Sequence, residues 1–353
     1  MADLYAPPPD AAARRALGQH LKQFNCRVFQ ADDPPFFTRE PASTMQPLHW
    51  KWSDLDPLLN RIGAGLSLER GGQRRTLRLT NPGLAFGTTP TFWGSIQYIL
   101  PGEVATAHRH APNALRFIMR GSGAFTTVDG QQYPMNEGDL VLTPSMAWHD
   151  HEHRGDEPMI WLDVLDISLV SHLHAMFFEG SPDDVQAVDR VPDRSLRQFR
   201  SGIMRPLHTG PLQPSSPLLV YDAVRAHEAL DAASGLDQDA YDATTLEYQN
   251  PLTGGPALNT IGTRLQKLLP GAATLRQRHT GSALNYVVRG HGSTDINGQT
   301  YAWGPGDFLA IPPWHWYAHS NTSTSDDAVF FQVNDCPVLQ ALGLFRTERA
   351  TSP

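Results

Sequence analysis

GEVATAHRHAPNALRFIMRGSGAFTTVDGQQYPMNEGDLVLTPSMAWHDH, residues 102–151, and GAATLRQRHTGSALNYVVRGHGSTDINGQTYAWGPGDFLAIPPWHWYAH, residues 271–319, are two versions of one text. Gly102 aligns with Gly271, His110 with His279, Ala114 with Ala283, Gly121 with Gly290, Gly138 with Gly306 and Pro144 with Pro312. One residue is lost between the Gly121 and Gly138 equivalents, inside the hairpin. Chance similarity rarely keeps glycines, turns and a GD-x4-P step in register over about fifty residues. VDGQ and INGQ read as hairpin turns between strands. Two copies of one antiparallel β-domain are the architecture this implies.

In the first copy His108 and His110 stand one residue apart ahead of a hydrophobic strand. Alternate side chains of a strand point the same way, so the two rings share a face and are placed to grip one metal ion. No acid follows them: Ala114 and Leu115 stand where a carboxylate would be sought.

The rest of the chain sets bounds. Its 353 residues suffice for one large core or two ordinary ones. With 40% apolar and 18% charged residues it reads as a folded, soluble protein, and its 29 Gly and 29 Pro favour strands and turns over a helical bundle. A net charge of −8 argues against nucleic-acid and anionic-membrane partners. Cys26 and Cys336 are too few for a disulfide framework, and neither a signal core nor a membrane-spanning apolar run is read, so a cytoplasmic location is expected. A loose tail precedes an expected helix from residue 11 to about 24. WKWSDLDPLLNRIGAGL predicts a second helix, with Ser53 as N-cap and Leu55, Leu58, Leu59 and Ile62 at helical spacing. Short strands follow from about residue 76. The expected organisation is an extension over 1–75, a metal-bearing barrel over 76–170, a linker with a helix over 171–255 and a degenerate second barrel over 256–345.

These blocks resemble the two motifs of the cupin superfamily, which implies an all-β bicupin of two antiparallel jelly-roll barrels with a few peripheral helices. Gly102, His108, His110 and Gly121 match the first motif, with Ala114 in its Glu place. Gly138, Pro144 and His149 match the second, with Met146 in its second Gly place. The spacing makes His149 the third ligand beside His108 and His110. His151 is expected near the pocket, His153 in a loop, and Asp163 either orienting a ligand or pocket histidine or standing as an ordinary edge carboxylate. In the second copy Gln277 and Tyr317 replace two of the three histidines, His279 survives, and Asn285 replaces Arg116, so one metal per chain is expected. Neutral imidazoles leave a divalent ion its full +2 charge, whereas a carboxylate would reduce the site to +1. Such a site suits a substrate that chelates as a dianion through a carboxylate and a neighbouring phenolate.

HWKWSDLDPLL, RGGQRRTLRLTNPGL, PTFWGSIQYILPGE, HRHAPNALRFIMRGSGAFTTVDG, GDLVLTPSMAWHDH and EPMIWLDVLDI, with SSPLLVY and YQNPLTGGPALNTIG later, are similar to the gentisate 1,2-dioxygenase family, which includes salicylate and 1-hydroxy-2-naphthoate dioxygenases. The similarity spans roughly residues 47 to 345. It implies a homotetramer with one Fe(II) per chain, held by His108, His110 and His149, whose partners are a small aromatic acid and O2. Arg116 would pair with the substrate carboxylate through two parallel donors. Arg74, Gln97 and His151 would line the pocket, Trp93 would pack near the ring, Asp163 would support the site, and His151 would accept or return a proton. Gln97 and Arg116 alternate with apolar residues, so facing inward would be costly without a polar or anionic partner. The stretch FNCRVFQADDPPFFTREPASTM departs from the family's aromatic N-terminal region. A 5-nitro or 5-amino salicylate therefore competes with gentisate as substrate. Two alternatives stay open, a cupin isomerase or hydrolase using another metal and a non-catalytic aromatic-acid-binding cupin.

Overall fold

A strand buried on both faces carries apolar residues without alternation, and ALRFIM and MIWLDVL have that character. The computed structural model gives the reason; it describes residues 10–27, 37–65, 75–208, 213–236 and 238–351. The chain forms two units, residues 1–41 and 42–353. The first contains the helix Ala11–Lys22, capped by the Asp10 carboxylate, which accepts the Ala13 N–H at 2.7 Å. It stops at Lys22 rather than near Phe24, and the chain turns away through Asn25 at φ 54°.

The described residues of the second unit form four antiparallel sheets, two to a barrel. In the first barrel the six-stranded sheet runs Val220–Tyr221, Leu140–Thr143, Ala114–Arg120, Met159–Leu165, Trp93–Ile99, Thr76–Leu79. Its five-stranded partner runs Phe178–Gly180, Val104–His110, His149–His153, Ala124–Val128, Gln131–Met135. The second barrel repeats this order strand for strand. Its sheets run Leu48–Trp50, Phe308–Ile311, Ala283–Arg289, Ala328–Asn334, Gly262–Leu268, Thr244–Glu247 and Thr347–Arg349, Gln277–His279, Tyr317–Asn321, Gly292–Ile296, Gln299–Trp303. The VDGQ and INGQ stretches are hairpin turns: Asp129 and Gly130, then Asn297 and Gly298, all have positive φ, as the I′ geometry demands.

The six-stranded sheets share one core. Ile96, Leu115, Phe117, Leu162 and Val164 of one pack with Leu265, Leu284, Tyr286, Phe331 and Val333 of the other, and Phe117 stacks on Phe331 at 4.0 Å. Each buried side chain of this size contributes roughly 1.5–3 kcal/mol. The opposite faces line the barrel interiors, with Ile118, Val141 and Trp161 in the first and Val287, Leu309 and Phe330 in the second.

Each barrel also holds an arm that leads into the other. Leu48–Trp50 and the helix Trp52–Gly65 precede the first barrel, yet Leu48–Trp50 pairs with Phe308–Ile311 of the second. Ser53 was expected to cap that helix. Instead the helix begins at Trp52, whose N–H is accepted by Asp307 Oδ1 at 2.8 Å, while Asp307 Oδ2 binds His49 Nε2 at 2.8 Å. Leu55 and Leu59 are buried and Leu58 is exposed. Symmetrically, Val220–Tyr221 and the helix Ala223–Ser234 precede the second barrel, but Val220–Tyr221 pairs with Leu140–Thr143 of the first, and Asp139 Oδ1 accepts the Ala223 N–H at 2.9 Å. The two aspartates of the GD-x4-P steps thus hold two crossing helices. The segment read as a linker also supplies Phe178–Gly180 to the first barrel and Thr244–Glu247 to the second.

Candidate metal centre

The strand Val104–His110 slips register against His149–His153 between Ala105 and His108, a bulge that re-aims the side chains beyond it. Past the slip His108 lies directly opposite His149, and His110 follows on the same face. One nitrogen from each ring lies within 4.8 Å of the other two, and no Asp, Glu or Cys joins the group among the described residues. Ring centroids are 4.2 Å apart for His108–His149, 4.8 Å for His110–His149 and 5.6 Å for His108–His110.

The backbone orients each ring. Nδ1 lies 2.7 Å from the Thr106 carbonyl in His108, 2.7 Å from the Pro112 carbonyl in His110 and 3.0 Å from the Ala147 carbonyl in His149. A carbonyl only accepts, so each Nδ1 carries the proton and each Nε2 keeps the lone pair that can ligate a metal. Burial, then the neighbouring His108, Arg116 and His110, hold His149 well below its ordinary pKa and keep it neutral. His149 Nε2 is buried with no hydrogen-bond partner. Leaving such an atom unmatched costs about 1–3 kcal/mol. A divalent cation fits this donor set.

The turn before His149 passes through Met146, at φ 65°, whose N–H bonds the His110 carbonyl at 2.8 Å. A left-handed non-glycine residue costs roughly 1–2 kcal/mol, which is why the motif ordinarily has glycine here. The face of Phe178, from the edge strand, stacks on His108 at 5.4 Å.

Below the three rings polar side chains enter the interior. Trp93, Ser95 and Gln97 alternate along one strand, Trp161 and Asp163 along the next, then Arg116 and Thr143 on the two beyond. His151 lies 6.0 Å from His149 and 5.8 Å from Trp161, ring to ring. Both ends of the Gln97 amide are buried without partners. Arg116 is 1% exposed; Nη1 donates to Thr143 Oγ1 at 2.7 Å, while Nε stands 3.6 Å from Asp163 Oδ1 without a hydrogen bond. Burial lowers the Arg116 pKa and Asp163 opposes that. Trp93 is half-buried between Arg78, 4.5 Å from its ring centre, and the edge of Phe86.

The structure thus brings His108, His110, His149, His151, Gln97, Arg116, Asp163 and Trp93 to one barrel. Arg74 lies outside the described residues. Asp163 was expected to orient a histidine; it faces the guanidinium instead, and backbone carbonyls orient the three grouped rings. His153 was expected in a loop; it ends the strand His149–His153, buried, with Nε2 on the Glu157 carbonyl at 2.7 Å. Thr143 also reaches this interior and Phe178 stacks on His108; the one signal in the sequence is a polar residue closing the apolar strand LVLT, while Phe178 lies in the segment between the barrels.

The equivalent places in the second barrel are neutral. Gln277 Nε2 donates to Asp242 Oδ1 at 2.7 Å, and Tyr317 meets His279 edge-on at 5.7 Å. Burial and then Arg264 push His279 down to about 4. Asn285 pairs with Gln332 where Arg116 pairs with Asp163.

The Cupin domain family matches this chain twice, over residues 95–165 and 264–334. The chain is 38% identical to a 5-aminosalicylate 1,2-dioxygenase from Comamonas sp, over 90% of its own length and 85% of that protein. It is also 38% identical to a gentisate 1,2-dioxygenase from Streptomyces sp, over 88% of each. Among solved structures, the salicylate 1,2-dioxygenase of Pseudaminobacter salicylatoxidans superposes with a TM-score of 0.89 at 32% identity, covering 97% of this chain and 99% of that one. Repeat, barrels and likeness along nearly the whole length agree: this chain belongs to the cupin 1,2-dioxygenase family that contains the gentisate and salicylate enzymes.

Proposed function

We propose that the protein is an Fe(II)-dependent dioxygenase that inserts O2 between the carboxyl-bearing and hydroxyl-bearing carbons of gentisate or a 5-substituted salicylate. The observation that carries this reading is the juxtaposition of two features in one barrel. Three neutral imidazoles turn their Nε2 atoms toward one another, and a buried guanidinium has a donor to spare beside them. His108, His110 and His149 would hold the iron, which would supply the redox chemistry that O2 and an ortho-hydroxybenzoate need.

The chain's own residues do the rest of the work in this reading. Arg116 binds the carboxylate with planar, paired donors, and Asp163 balances its charge in the free protein. Gln97 offers its amide to a substrate oxygen. Trp93 flanks the ring, and Arg74, which lies outside the described residues, would line the pocket. His151 accepts and returns the phenolic proton, a task suited to imidazole near neutral pH. The relatives that act by name on gentisate and 5-aminosalicylate are equally similar to this chain, and a gentisate adduct is known of the salicylate enzyme, so hydroxyl and amino substituents come first and nitro next. The same reading includes a homotetramer, read by sedimentation, in the cytoplasm, read by cell fractionation.

The test is anaerobic loading with Fe(II), followed by oxygen consumption with gentisate and a panel of 5-substituted salicylates. One O2 consumed per ring opened is the expected result. Equal turnover with Zn(II) or Mn(II), or saturable binding without oxygen uptake at full iron occupancy, would overturn it.

A further inference from the structure

Thr143 is the last residue of the strand Leu140–Thr143 and is fully buried on the inner face of the metal-bearing barrel. A fully buried hydroxyl among apolar strand residues costs free energy unless it is matched, and this one is matched by Arg116 Nη1 at 2.7 Å. The guanidinium is therefore gripped from two sides. Asp163 lies directly opposite Arg116 on one neighbouring strand, 3.6 Å from Nε, and Thr143 lies diagonally across on the other. Of the two, only Thr143 makes a hydrogen bond, so it sets the direction in which the guanidinium plane points. Its own hydroxyl proton remains to donate into the same interior.

The second barrel shows what this place holds when no arginine is present. Ala114 pairs with Thr143 as Ala283 pairs with Ile311, and Arg116 pairs with Asp163 as Asn285 pairs with Gln332. Arginine, threonine and aspartate are thus replaced as a set by asparagine, isoleucine and glutamine. Ile311 is 1% exposed in the second core, so an aliphatic β-branched residue fits this position. Packing alone does not call for the hydroxyl.

We propose that Thr143 is a positioning residue that aims the Arg116 guanidinium at the substrate carboxylate. This rests on the reading of Arg116 as the carboxylate partner, and the experiment separates the two. Thr143→Val, Thr143→Ser, Arg116→Ala and the double variant Thr143→Val/Arg116→Ala are titrated anaerobically with salicylate as iron-loaded protein, then assayed for KM and kcat. A hydrogen bond to a charged group supports a weakening of roughly ten- to a hundredfold for Thr143→Val, in Kd and KM more than in kcat, with iron content unchanged. Thr143→Ser, which keeps the hydroxyl, binds within about threefold of the parent. In the Arg116→Ala background Thr143→Val adds nothing, because the residue acts through the arginine.

Unchanged salicylate binding in Thr143→Val, or an equal loss with and without Arg116, overturns the positioning role while leaving the arginine's role standing. Normal binding by Arg116→Ala overturns the arginine's role and this proposal with it.

Discussion

The Arg116–Asp163 pair yields a prediction about both stability and binding. Both residues are buried, and their closest charged atoms stand 3.6 Å apart. At that distance two unit charges attract by about 5 kcal/mol for an effective dielectric of 20, before the desolvation of either group is counted. Removing one partner leaves the other charged and unmatched, at a cost of about 3–5 kcal/mol. Asp163→Gln and Arg116→Asn should each destabilise the metal-free protein by that amount. The double variant reproduces the neutral pair Asn285 and Gln332, which the second barrel already accommodates. It should therefore recover at least 2–3 kcal/mol of the summed losses, a coupling of the size expected for a buried charge pair. Urea denaturation of the four proteins measures it. Asp163→Gln has a second consequence: salicylate can replace the missing anion, so ligand should raise its melting temperature more than it raises the parent's. Additive single losses, together with an equal or smaller ligand shift in Asp163→Gln, would refute the view that the carboxylate exists to balance this arginine.

His108→Ala should abolish metal retention, measured by metal analysis after gel filtration, while the metal-free melting temperature moves by only a few degrees, because the lost contact is confined to one polar ring stacked on Phe178. Burial pushes the Asp307 pKa up, but the bonds from His49, Trp52 and Gly304 hold it below its ordinary value. A depressed carboxylate contributes stability that is full above its unfolded value near 4 and fades as pH falls through the folded value. Asp307→Asn should thus flatten the acid limb of a stability-versus-pH curve and cost about 1–2 kcal/mol at neutral pH, measured by urea midpoints; parallel curves would count against the bond network. Met146→Gly removes the left-handed penalty at φ 65° and should stabilise by about 0.5–1 kcal/mol, a rise of one to three degrees by calorimetry.

Much of the site was legible because it is written locally. His108 and His110 alternate on one strand, and the carbonyls that orient the grouped rings belong to residues within two positions of each histidine. Gln97 and Arg116 could be turned inward on paper because their neighbours are apolar. Partner choice is not written locally. Asp163 is an acid two residues after Trp161, and nothing in WLDVLD says whether it meets a histidine or a guanidinium; the pairing of Met159–Leu165 against Ala114–Arg120 decides that. Thr143 is illegible for the same reason, since its partner is an arginine 27 residues away.

The sequence by itself determined that one antiparallel β-domain occurs twice, where its hairpins turn and which copy keeps the three histidines. These follow from a period of two, from the positive φ of Asp-Gly and Asn-Gly, and from repeat spacing, all short-range properties of the chain. Only the tertiary structure decided that the arms cross. The N–H of Trp52 finds its acceptor in Asp307, 255 residues on, while that of Ala223 finds Asp139, 84 residues back. A helix end needs an acceptor of suitable shape and charge, whatever its position along the chain. Ser53 satisfied the local rule, but a carboxylate fixed on the facing barrel was better placed to satisfy the physical one.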